Sequence, residues 1–402
     1  MEYVQERIAT LHDFGGLGTE SGATDLDTAN TADASGGAAH SSPIADTAVI
    51  VPMTAREHRN PAAARVLSEL ESLEPAPAAV YVPVRADPDE IEPFREWLTS
   101  FSLPIRVLWC NAPTVDALFA RAGLDGDFGK GRDVWLALGP AAAAGEYVVV
   151  HDADARSYTV DHVHRLLAPL AMDAGFEFAK GYYARIEDDR LYGRLFRLFY
   201  APLLRAIASE HDAQILEYLQ SFRYALAGEF AMTADLATQL QTPRTWGLEV
   251  GTLGDAFEHA GFAGTAQVDL GRHVHDHRAV AGETGLEGMS REVGATLFRV
   301  LEAGGLEPDY ETLPERYRAA GSELIDQYQA DAAFNGLEYD PAGEHDQLER
   351  YAGAISPPGA DRRLPRWADA SLEPAAVVEA AQPWTDGAEP TDVPRVDSRV
   401  RK

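Results

Sequence analysis

Four short apolar runs, separated by segments with helical spacing, constrain the fold of this chain more than any other feature. The runs lie at residues 48–51, 78–84, 105–111 and 146–150, and the last of them reads "EYVVV". Apolar runs of this length are typical of buried strands, and stretches between them such as "PAAARVLSELESL" repeat their apolar residues at helical intervals. The alternation predicts an α/β fold, with a mostly parallel sheet flanked by helices.

The segments outside this alternation differ in composition. The first residues fit a short helix, and the stretch after them is mostly Gly, Ala, Ser, Thr and Asp, which predicts a flexible linker. After Asp161 the pattern becomes more helical, and "SREVGATLFRVLEAGG" predicts a late amphipathic helix. The expected organisation is an N-terminal helix over 1–14, a linker over 15–44, a main domain over 45–285 with halves 45–155 and 156–285, a helical region over 286–355 and a loosely held Pro- and Ala-rich tail over 356–402.

The charge balance is strongly acidic. The chain has 64 acidic and 34 basic residues, a formal charge of −30, and its only lysines are Lys130, Lys180 and Lys402. This composition is typical of proteins in concentrated salt, where a Debye length of about 3 Å at 1 M screens self-repulsion. An ordinary acidic cytosolic protein is the alternative. A surface of this sign repels nucleic acid and anionic membranes, so we expect neither as a partner.

Further features of the sequence favour a soluble cytoplasmic protein. Cys110 is the single cysteine, which excludes an intramolecular disulfide and a cysteine-based metal site. The chain has no stretch of about 18 apolar residues, and its start, "MEYVQERIATLHDFGG", has no apolar signal core.

Two aspartates directly follow the fourth apolar run, in "YVVVHDADARSY". Ligands of open parallel sheets bind beyond the carboxyl ends of the strands. Asp152 and Asp154 therefore suit a hard divalent cation that also contacts phosphate oxygens. The alternative is a pair of aspartates in a solvated turn.

Three histidines alternate in "GRHVHDHR", at His273, His275 and His277. In an extended chain alternate side chains share a face, so a neutral imidazole could complete a metal site begun by the aspartates. The sequence alone does not choose the ligand, and a histidine-rich polar loop is the alternative.

Lys130 stands between two glycines in "LDGDFGKGRDVWLALG". Gly129 and Gly131 would let the backbone approach a ligand closely, and the lysine ammonium is a compact cation that can meet a diphosphate. The segment is not a Walker loop, because "GxxxxGK[ST]" is absent. A plain loop lysine is the alternative, although a chain that avoids lysine should keep it where a point charge is required.

The remaining polar candidates are weaker. Glu229 in "LAGEFAM" and Glu249 in "WGLEVGTLGDAF" would either favour a helix dipole or hydrogen-bond sugar hydroxyls. The arginines of "LYGRLFRLFYAPLLRAIA" lie either at the rim of a core helix or, at Gly193 and Arg194, in a clamp for an anionic acceptor.

Taken in order, these segments resemble the glucosyl-3-phosphoglycerate synthases, retaining GT-A glycosyltransferases related to the mannosyl-3-phosphoglycerate synthases. The resemblance rests on "GKG", "DAD" after an apolar strand, "AKGYYAR", "APLL", "AGEF", "GLEVGTLGDAF", "AQVDLGRHVHDHR" and "MSREVGATLFRVL". It covers roughly residues 46 to 305, and its specificity lies in the order and spacing of the motifs. The resemblance implies a GT-A fold, Rossmann-like, with a helical C-terminal extension.

The resemblance also implies roles for individual residues. Lys130 would lie against the diphosphate of a nucleotide-sugar donor, and Glu249 would contact the sugar. The metal ligands for Mg²⁺ or Mn²⁺ would be Asp152, Asp154 and His275. Further matches are Pro52, Glu57, Asp152 and Glu229 on the donor side, and Gly193, Arg194 and His277 on the acceptor side. Asp154, Glu249 and Lys130 are expected to carry the catalytic step.

The chain departs from the family pattern at four places. The donor segment reads "PMTAREH" instead of "PxLNE", and the second strand is followed by Arg85 and then Asp87 instead of ending in an aspartate. Phe196 stands where a threonine is expected, and His277 stands where an asparagine is expected. The first two changes affect the choice between UDP and GDP as donor base, and the other two affect the acceptor.

We therefore expect metal-dependent transfer of glucose or mannose, with retention, from a nucleotide diphosphate sugar to a small anionic acceptor such as 3-phosphoglycerate. The leaving phosphate would take the acceptor proton, so no protein nucleophile is needed, in contrast to retaining glycosidases. The family implies a homodimer and a compatible solute as product. Two alternatives stay open, a family 2-like transferase acting on polyprenyl phosphate or another sugar, and a non-catalytic sugar-nucleotide-binding protein.

Overall fold

A computed structural model of the chain describes residues 12–14, 42–275 and 285–384. Most of the strands in these ranges belong to one sheet. The strands are β1 (His12–Phe14), β2 (Thr47–Ile50), β3 (Met53–Thr54), β4 (Ala79–Arg85), β5 (Ile105–Trp109), β6 (Tyr147–Val150), β7 (Phe178–Ala184), β8 (Ile186–Glu187), β9 (Arg190–Leu191), β10 (Phe230–Thr233) and β11 (Thr265–Arg272).

The main sheet has nine strands in the order β1-β11-β7-β10-β6-β2-β4-β3, with β5 also paired to β4. Every pair in it is parallel except those of β10, which runs antiparallel to β6 and β7. Strands β8 and β9 form a separate antiparallel hairpin. The predicted α/β class with a mostly parallel sheet is confirmed.

Helices cover the sheet. They are α1 (Pro61–Glu71), α2 (Ile91–Leu98), α3 (Pro113–Ala122), α4 (Lys130–Ala142), α5 (Asp161–Ala171), α6 (Ala201–Ala208), α7 (Gln214–Gln220), α8 (Ala234–Gln239), α9 (Leu248–His259), α10 (Leu286–Ala303), α11 (Leu313–Asn335), α12 (Pro341–Ala352) and α13 (Pro374–Ala381). None of the helices in the described ranges is long and apolar enough to cross a membrane.

The central strands are buried on both faces, as expected for a parallel sheet between helix layers. All four residues of β2 are buried, and so are the three valines that end β6. Helix α4 packs on β2 and β4, while α5 packs on β7 and β11. Continuous apolar runs are therefore the strands at the centre of the core.

The carboxyl ends of β2, β4, β6, β7 and β11 lie at one edge of the sheet, because these strands all run in the same direction. The antiparallel strand β10 begins at that edge, so Glu229, immediately before it, lies there too. Beyond β11 the chain reaches His275, which forms an isolated bridge with Ala155. The topology thus brings together segments that are more than 100 residues apart in sequence.

Residues 12–14, the described part of the predicted N-terminal helix, form a strand. Residues His12–Phe14 form β1, which pairs in parallel with the outer edge of β11. The ring of Phe14 packs edge-to-face on Phe176, with 5.6 Å between the ring centroids. An unpaired strand edge supplies hydrogen-bonding groups that local periodicity does not reveal. Residues 1–11, and most of the predicted linker, lie outside the described residues.

The C-terminal segment also differs from the prediction of a loosely held tail, at least as far as residue 384. The Trp367 ring stacks on Trp135 of α4 at 4.6 Å, and each indole nitrogen donates to the backbone of the other segment, Trp135 to Pro365 and Trp367 to Trp135. Helix α13 follows and packs against α3 and α4. Two stacked tryptophans bury enough apolar area to hold a segment that is rich in Pro and Ala.

Candidate active site

A cleft of about 360 Å³ opens at the carboxyl edge of the sheet. Most of the residues singled out from the sequence surround it. Its lining includes Pro52, Met53, Thr54, Arg56, Glu57, Arg85, Lys130, Asp133, Asp152, Ala153, Asp154, Tyr183, Arg185, Leu195, Leu226, Trp246, Glu249, His275, Met289 and Val293.

Lys130 is the first residue of α4, and its ammonium lies between two carboxylates. Its Nζ is 2.6 Å from Asp152 Oδ1 and 2.8 Å from Glu249 Oε1. Burial alone would lower the lysine pKa, but the charges and hydrogen bonds of both carboxylates outweigh it and raise the pKa. The site therefore contains a permanent point cation beside the aspartate that follows β6.

The glycines on either side of Lys130 lie against a neighbouring stretch of backbone, a contact that the sequence did not reveal. A Cβ on Gly131 would lie 1.7 Å from the Pro243 carbonyl oxygen, and one on Gly129 would lie 2.7 Å from the Arg244 carbonyl oxygen. The glycines thus admit a neighbouring stretch of backbone, which also accepts the Arg132 amide at the Arg244 carbonyl. Close packing at this point fixes where α4 begins and where Lys130 lies.

Asp154 and His275 contact each other in the lining of the cleft. His275 Nε2 lies 3.1 Å from Asp154 Oδ2, and the His275 amide donates to Glu187 Oε1 at 3.0 Å. Burial would raise the pKa of Asp154 and lower that of His275, but the hydrogen bond and charge between them reverse both directions. The structure thereby pairs the DxD segment with a histidine from beyond β11.

The other two histidines of "GRHVHDHR" take different places. His273 is buried and stacks on Tyr183 at 4.0 Å, and burial lowers its pKa to about 3. His277 lies outside the described residues, so its predicted acceptor contact stays a prediction. Among the described histidines of this segment, His275 is the one that reaches the cleft.

Asp152, Asp154 and His275 suit a hard divalent cation, although they are not arranged as a complete metal site. Among the described residues no group of three or more His, Cys, Asp or Glu side chains is arranged as a metal site. Asp154 Oδ1 is nevertheless buried without a hydrogen-bond partner, beside the Asp154–His275 contact. A carboxylate oxygen, an imidazole and the neighbouring Asp152 are suitable ligands for Mg²⁺ or Mn²⁺, with donor phosphates supplying the rest.

Glu229 and Lys180 are buried near the charged residues of the cleft. Glu229 is fully buried, its carboxylate has no hydrogen-bond partner, and burial together with the charge of Asp152 raises its pKa to about 7. Lys180, on β7, donates to the Ala227 carbonyl, and burial lowers its pKa to about 8. Glu229 thus lies behind Asp152 and does not line the cleft.

The end of the cleft predicted for the nucleoside of the donor contains the predicted residue Glu57 and also Asp133, which was not predicted. Glu57 lines the cleft and accepts from Asn60 Nδ2 at 2.9 Å, and Pro52 lies beside it. Arg85 Nε donates to Asp133 Oδ2 at 2.6 Å, and burial raises the Asp133 pKa to about 6. Asp133 lies one helical turn after Lys130, so the polar spacing of "KGRD" was the signal that could have identified it.

At the end of the cleft predicted for the acceptor, Arg194 does not line the cleft. Its Nε donates to Glu344 Oε1 at 3.1 Å, and Arg197 donates to the same carboxylate at 2.7 Å. The next residue, Leu195, does line the cleft, and Phe196 packs on Tyr224. Arg185, which the sequence analysis did not single out, lines the cleft instead.

Carboxylates that follow a central strand, beside one antiparallel strand in an otherwise parallel sheet, are features of GT-A glycosyltransferases. The chain is a glycosyltransferase of this fold. No family model matches it, but individual relatives do.

A glucosyl-3-phosphoglycerate synthase of Methanococcoides burtonii is 34% identical over 377 residues, which cover 90% of this chain and 90% of that protein. A glucosyl-3-phosphoglycerate synthase of Persephonella marina is 34% identical over 321 residues, or 76% of this chain and 79% of the relative. The chain belongs to the glucosyl-3-phosphoglycerate synthase family.

Solved structures support the fold. The Mycobacterium tuberculosis glucosyl-3-phosphoglycerate synthase in complex with Mn²⁺, UDP and glucosyl-3-phosphoglycerate superposes with a TM-score of 0.53 at 23% identity, covering 74% of this chain and 89% of that one. The same enzyme with Mn²⁺, UDP-glucose and phosphoglyceric acid gives a TM-score of 0.52 at 24% identity, covering 74% of this chain and 89% of that one. At this identity the likeness concerns the fold alone.

Proposed function

We propose that the protein transfers the glucosyl group of UDP-glucose to 3-phosphoglycerate, with retention at the anomeric carbon and with Mn²⁺ or Mg²⁺ as cofactor. The relatives that cover most of the chain are named for glucosyl-3-phosphoglycerate synthesis. The observation that carries the proposal is the joining of Lys130, Asp152, Asp154 and His275 in one cleft. A lysine and a cation-binding pair at a single floor suit a diphosphate that becomes a leaving group.

The residues divide the work as follows. Asp154 and His275, with Asp152 beside them, would hold the divalent cation, which when bound stabilises the negative charge that develops on the departing diphosphate. Lys130 adds a second positive charge for the same oxygens, and Glu249, held by Lys130, faces the cleft where the sugar would lie. Pro52, Glu57 and the Arg85–Asp133 pair lie at the end proposed for the nucleoside.

No protein nucleophile is required in this scheme. Asp152 and Glu249 are both ion-paired with Lys130, and Asp154 is hydrogen-bonded to His275. Each of these cleft carboxylates therefore already has a partner side chain. The acceptor hydroxyl would attack from the face that the diphosphate leaves and would pass its proton to that phosphate. A retaining glycosidase, by contrast, keeps one carboxylate free to attack the sugar.

The decisive experiment is a transfer assay at about 3 M KCl, since salt screens the self-repulsion of so acidic a chain. UDP-glucose, GDP-glucose and GDP-mannose are each supplied with Mn²⁺ or Mg²⁺, with and without 3-phosphoglycerate. We expect a glucosylated phosphoglycerate from UDP-glucose alone. Metal-dependent donor hydrolysis without transfer would reject the acceptor, and absence of both turnover and metal-dependent nucleotide binding would favour a non-catalytic protein.

We further propose that the enzyme acts in the cytoplasm, where both proposed substrates are formed, and that its product is a compatible solute. The acidic, lysine-poor composition fits that role. The homodimer implied by the family stays a prediction, and analytical ultracentrifugation in high salt would test it.

A further inference from the structure

The cations that line the cleft differ in their partners. Lys130 and Arg85 each lie 2.6 Å from a carboxylate oxygen. Arg185 does not: within the described part of the chain it forms no ion pair, and its Nε is buried without a hydrogen-bond partner. In a chain with 64 acidic and 34 basic residues, a cleft arginine without a carboxylate is an available site for an anionic group.

The surroundings of Arg185 hold its guanidinium in place. Arg185 follows β7 directly, and its Nη1 lies 3.5 Å from the hydroxyl of Tyr224. The Tyr224 ring packs against Tyr183 at 5.1 Å, while Glu187, the acidic residue next along the chain, accepts the His275 amide. The arginine is therefore supported by aromatic side chains, and the charge of Glu187 acts on it without an ion pair between the two.

Gly193, which the family resemblance assigns to the acceptor, lies against the same tyrosine. A Cβ on Gly193 would be 2.9 Å from the Tyr224 hydroxyl, so this glycine and Arg185 contact the same group. The Gly193 carbonyl accepts the Arg197 amide at 3.0 Å, so a helical segment over 194–208 begins here and its first amides have no acceptor within the helix. Helix starts of this kind favour phosphate.

The two positions match the two charged groups of the proposed acceptor. In 3-phosphoglycerate the hydroxyl that attacks is adjacent to the carboxylate, and the phosphate is one carbon further away. Of the two positions, Arg185 is the one that lines the cleft together with Asp154 and His275, the residues that would hold the cation. The carboxylate therefore belongs at Arg185 and the phosphate at the helix start.

We propose that Arg185 binds the carboxylate of the acceptor and makes the enzyme selective for 2-hydroxycarboxylates. The inference rests on the proposed function and adds a specificity-determining residue to it. The planar guanidinium can donate two parallel hydrogen bonds to a carboxylate, which a lysine ammonium cannot reproduce.

The test compares Arg185→Met and Arg185→Lys with the wild type, using 3-phosphoglycerate as acceptor and glycerol 3-phosphate, which lacks the carboxylate, as competing ligand. We expect Arg185→Met to lower kcat/KM for 3-phosphoglycerate about 100-fold, with the inhibition constant of glycerol 3-phosphate changed by less than about threefold. Arg185→Lys should recover only part of the loss. Arg205→Met is the matched control, because Arg205 lies on α6 and is paired with Glu323, and it should leave transfer unchanged.

Two results would overturn the inference. An equal loss of affinity for both ligands would place the phosphate at Arg185, and an unchanged KM for 3-phosphoglycerate would remove the residue from the acceptor site. Binding of UDP and the melting temperature of each variant report whether it is folded. If the wild type hydrolyses UDP-glucose but transfers nothing to 3-phosphoglycerate, the proposed function itself fails, and the assignment of Arg185 fails with it.

Discussion

The end of the cleft proposed for the donor and the end proposed for the acceptor differ in how their charged side chains are paired. At the donor end each cation faces a carboxylate of this chain, as Lys130 does with Asp152 and Arg85 with Asp133. At the acceptor end Arg194 is paired with Glu344, away from the cleft, while Arg185 has no carboxylate partner within the described residues.

The difference follows from what each end has to bind. A diphosphate that arrives with a divalent cation brings both signs of charge, so a floor of alternating carboxylates and cations is complementary to it. A small anion brings one sign only and needs a cation that has not been neutralised.

Asp154→Ala should have the largest effect. Removing this carboxylate leaves only Asp152 and His275 to hold the cation, and we expect metal-dependent transfer to fall about 1000-fold. The measurement is kcat at saturating UDP-glucose over a Mn²⁺ series. Asp326→Ala, at an exposed position of α11, is the control. A loss of less than about tenfold would remove Asp154 from the donor end.

Glu344→Gln tests the ion pairs behind the acceptor end. Glu344 and Arg197 are both buried, so loss of the negative charge leaves a buried arginine uncompensated. We expect the free energy of unfolding to fall by about 3 kcal/mol in a denaturant titration. Glu349→Gln breaks the exposed pair with Arg318 at 2.8 Å and should cost less than about 1 kcal/mol. Equal costs would contradict the buried role of Glu344.

Lys130→Met probes the donor end without touching the acceptor. We expect kcat/KM for UDP-glucose to fall about 100-fold, roughly 2.7 kcal/mol, because the diphosphate loses a preorganised cation. The KM for 3-phosphoglycerate, measured at saturating donor, should stay within about twofold. Lys130→Arg keeps the charge and should recover part of the donor affinity. An unchanged kcat/KM for UDP-glucose would show that Lys130 stabilises its two carboxylate partners and does not contribute to use of the donor.

Asp255→Asn is a pH test remote from both ends. Burial raises the pKa of Asp255 to about 7, well above its unfolded value, so the folded state binds more protons between about pH 4 and 7. Wild-type stability should therefore fall with rising pH in this window by up to about 1.4 kcal/mol per pH unit more than that of the variant. Denaturant titrations of both proteins at several pH values measure the difference. Parallel stability curves would mean that Asp255 ionises normally.

Much of the fold was predictable because its signals are local. The apolar runs at 78–84 and 105–111 became β4 and β5, and "EYVVV" became the strand that carries Asp152 and Asp154 to the edge of the sheet. Strand periodicity and the position of polar residues after a strand follow from a few neighbouring residues. Asp152 and Asp154, as candidate ligands of a cation, and Lys130 were identifiable for the same reason.

Contacts between distant segments were not predictable. The sequence placed Arg194 in an acceptor clamp, but its carboxylate partner lies 150 residues further along the chain. It gave no sign that the Pro243–Arg244 backbone packs against Gly129 and Gly131. It also gave no sign that Trp367 would stack on Trp135 and order the C-terminal segment.

Local sequence signals were enough to predict the alternation of strands and helices as far as β6, the family, and which residue types reach the carboxyl edge of the sheet. The tertiary structure decided which of the charged residues at that edge have partners. Ion pairing depends on distances of a few ångströms between elements that pack from opposite parts of the chain, and local spacing does not encode those distances. This is why Arg194, selected from its motif, is paired with Glu344 outside the cleft, while Arg185, the last residue of "AKGYYAR" and assigned no role from the sequence, lines it.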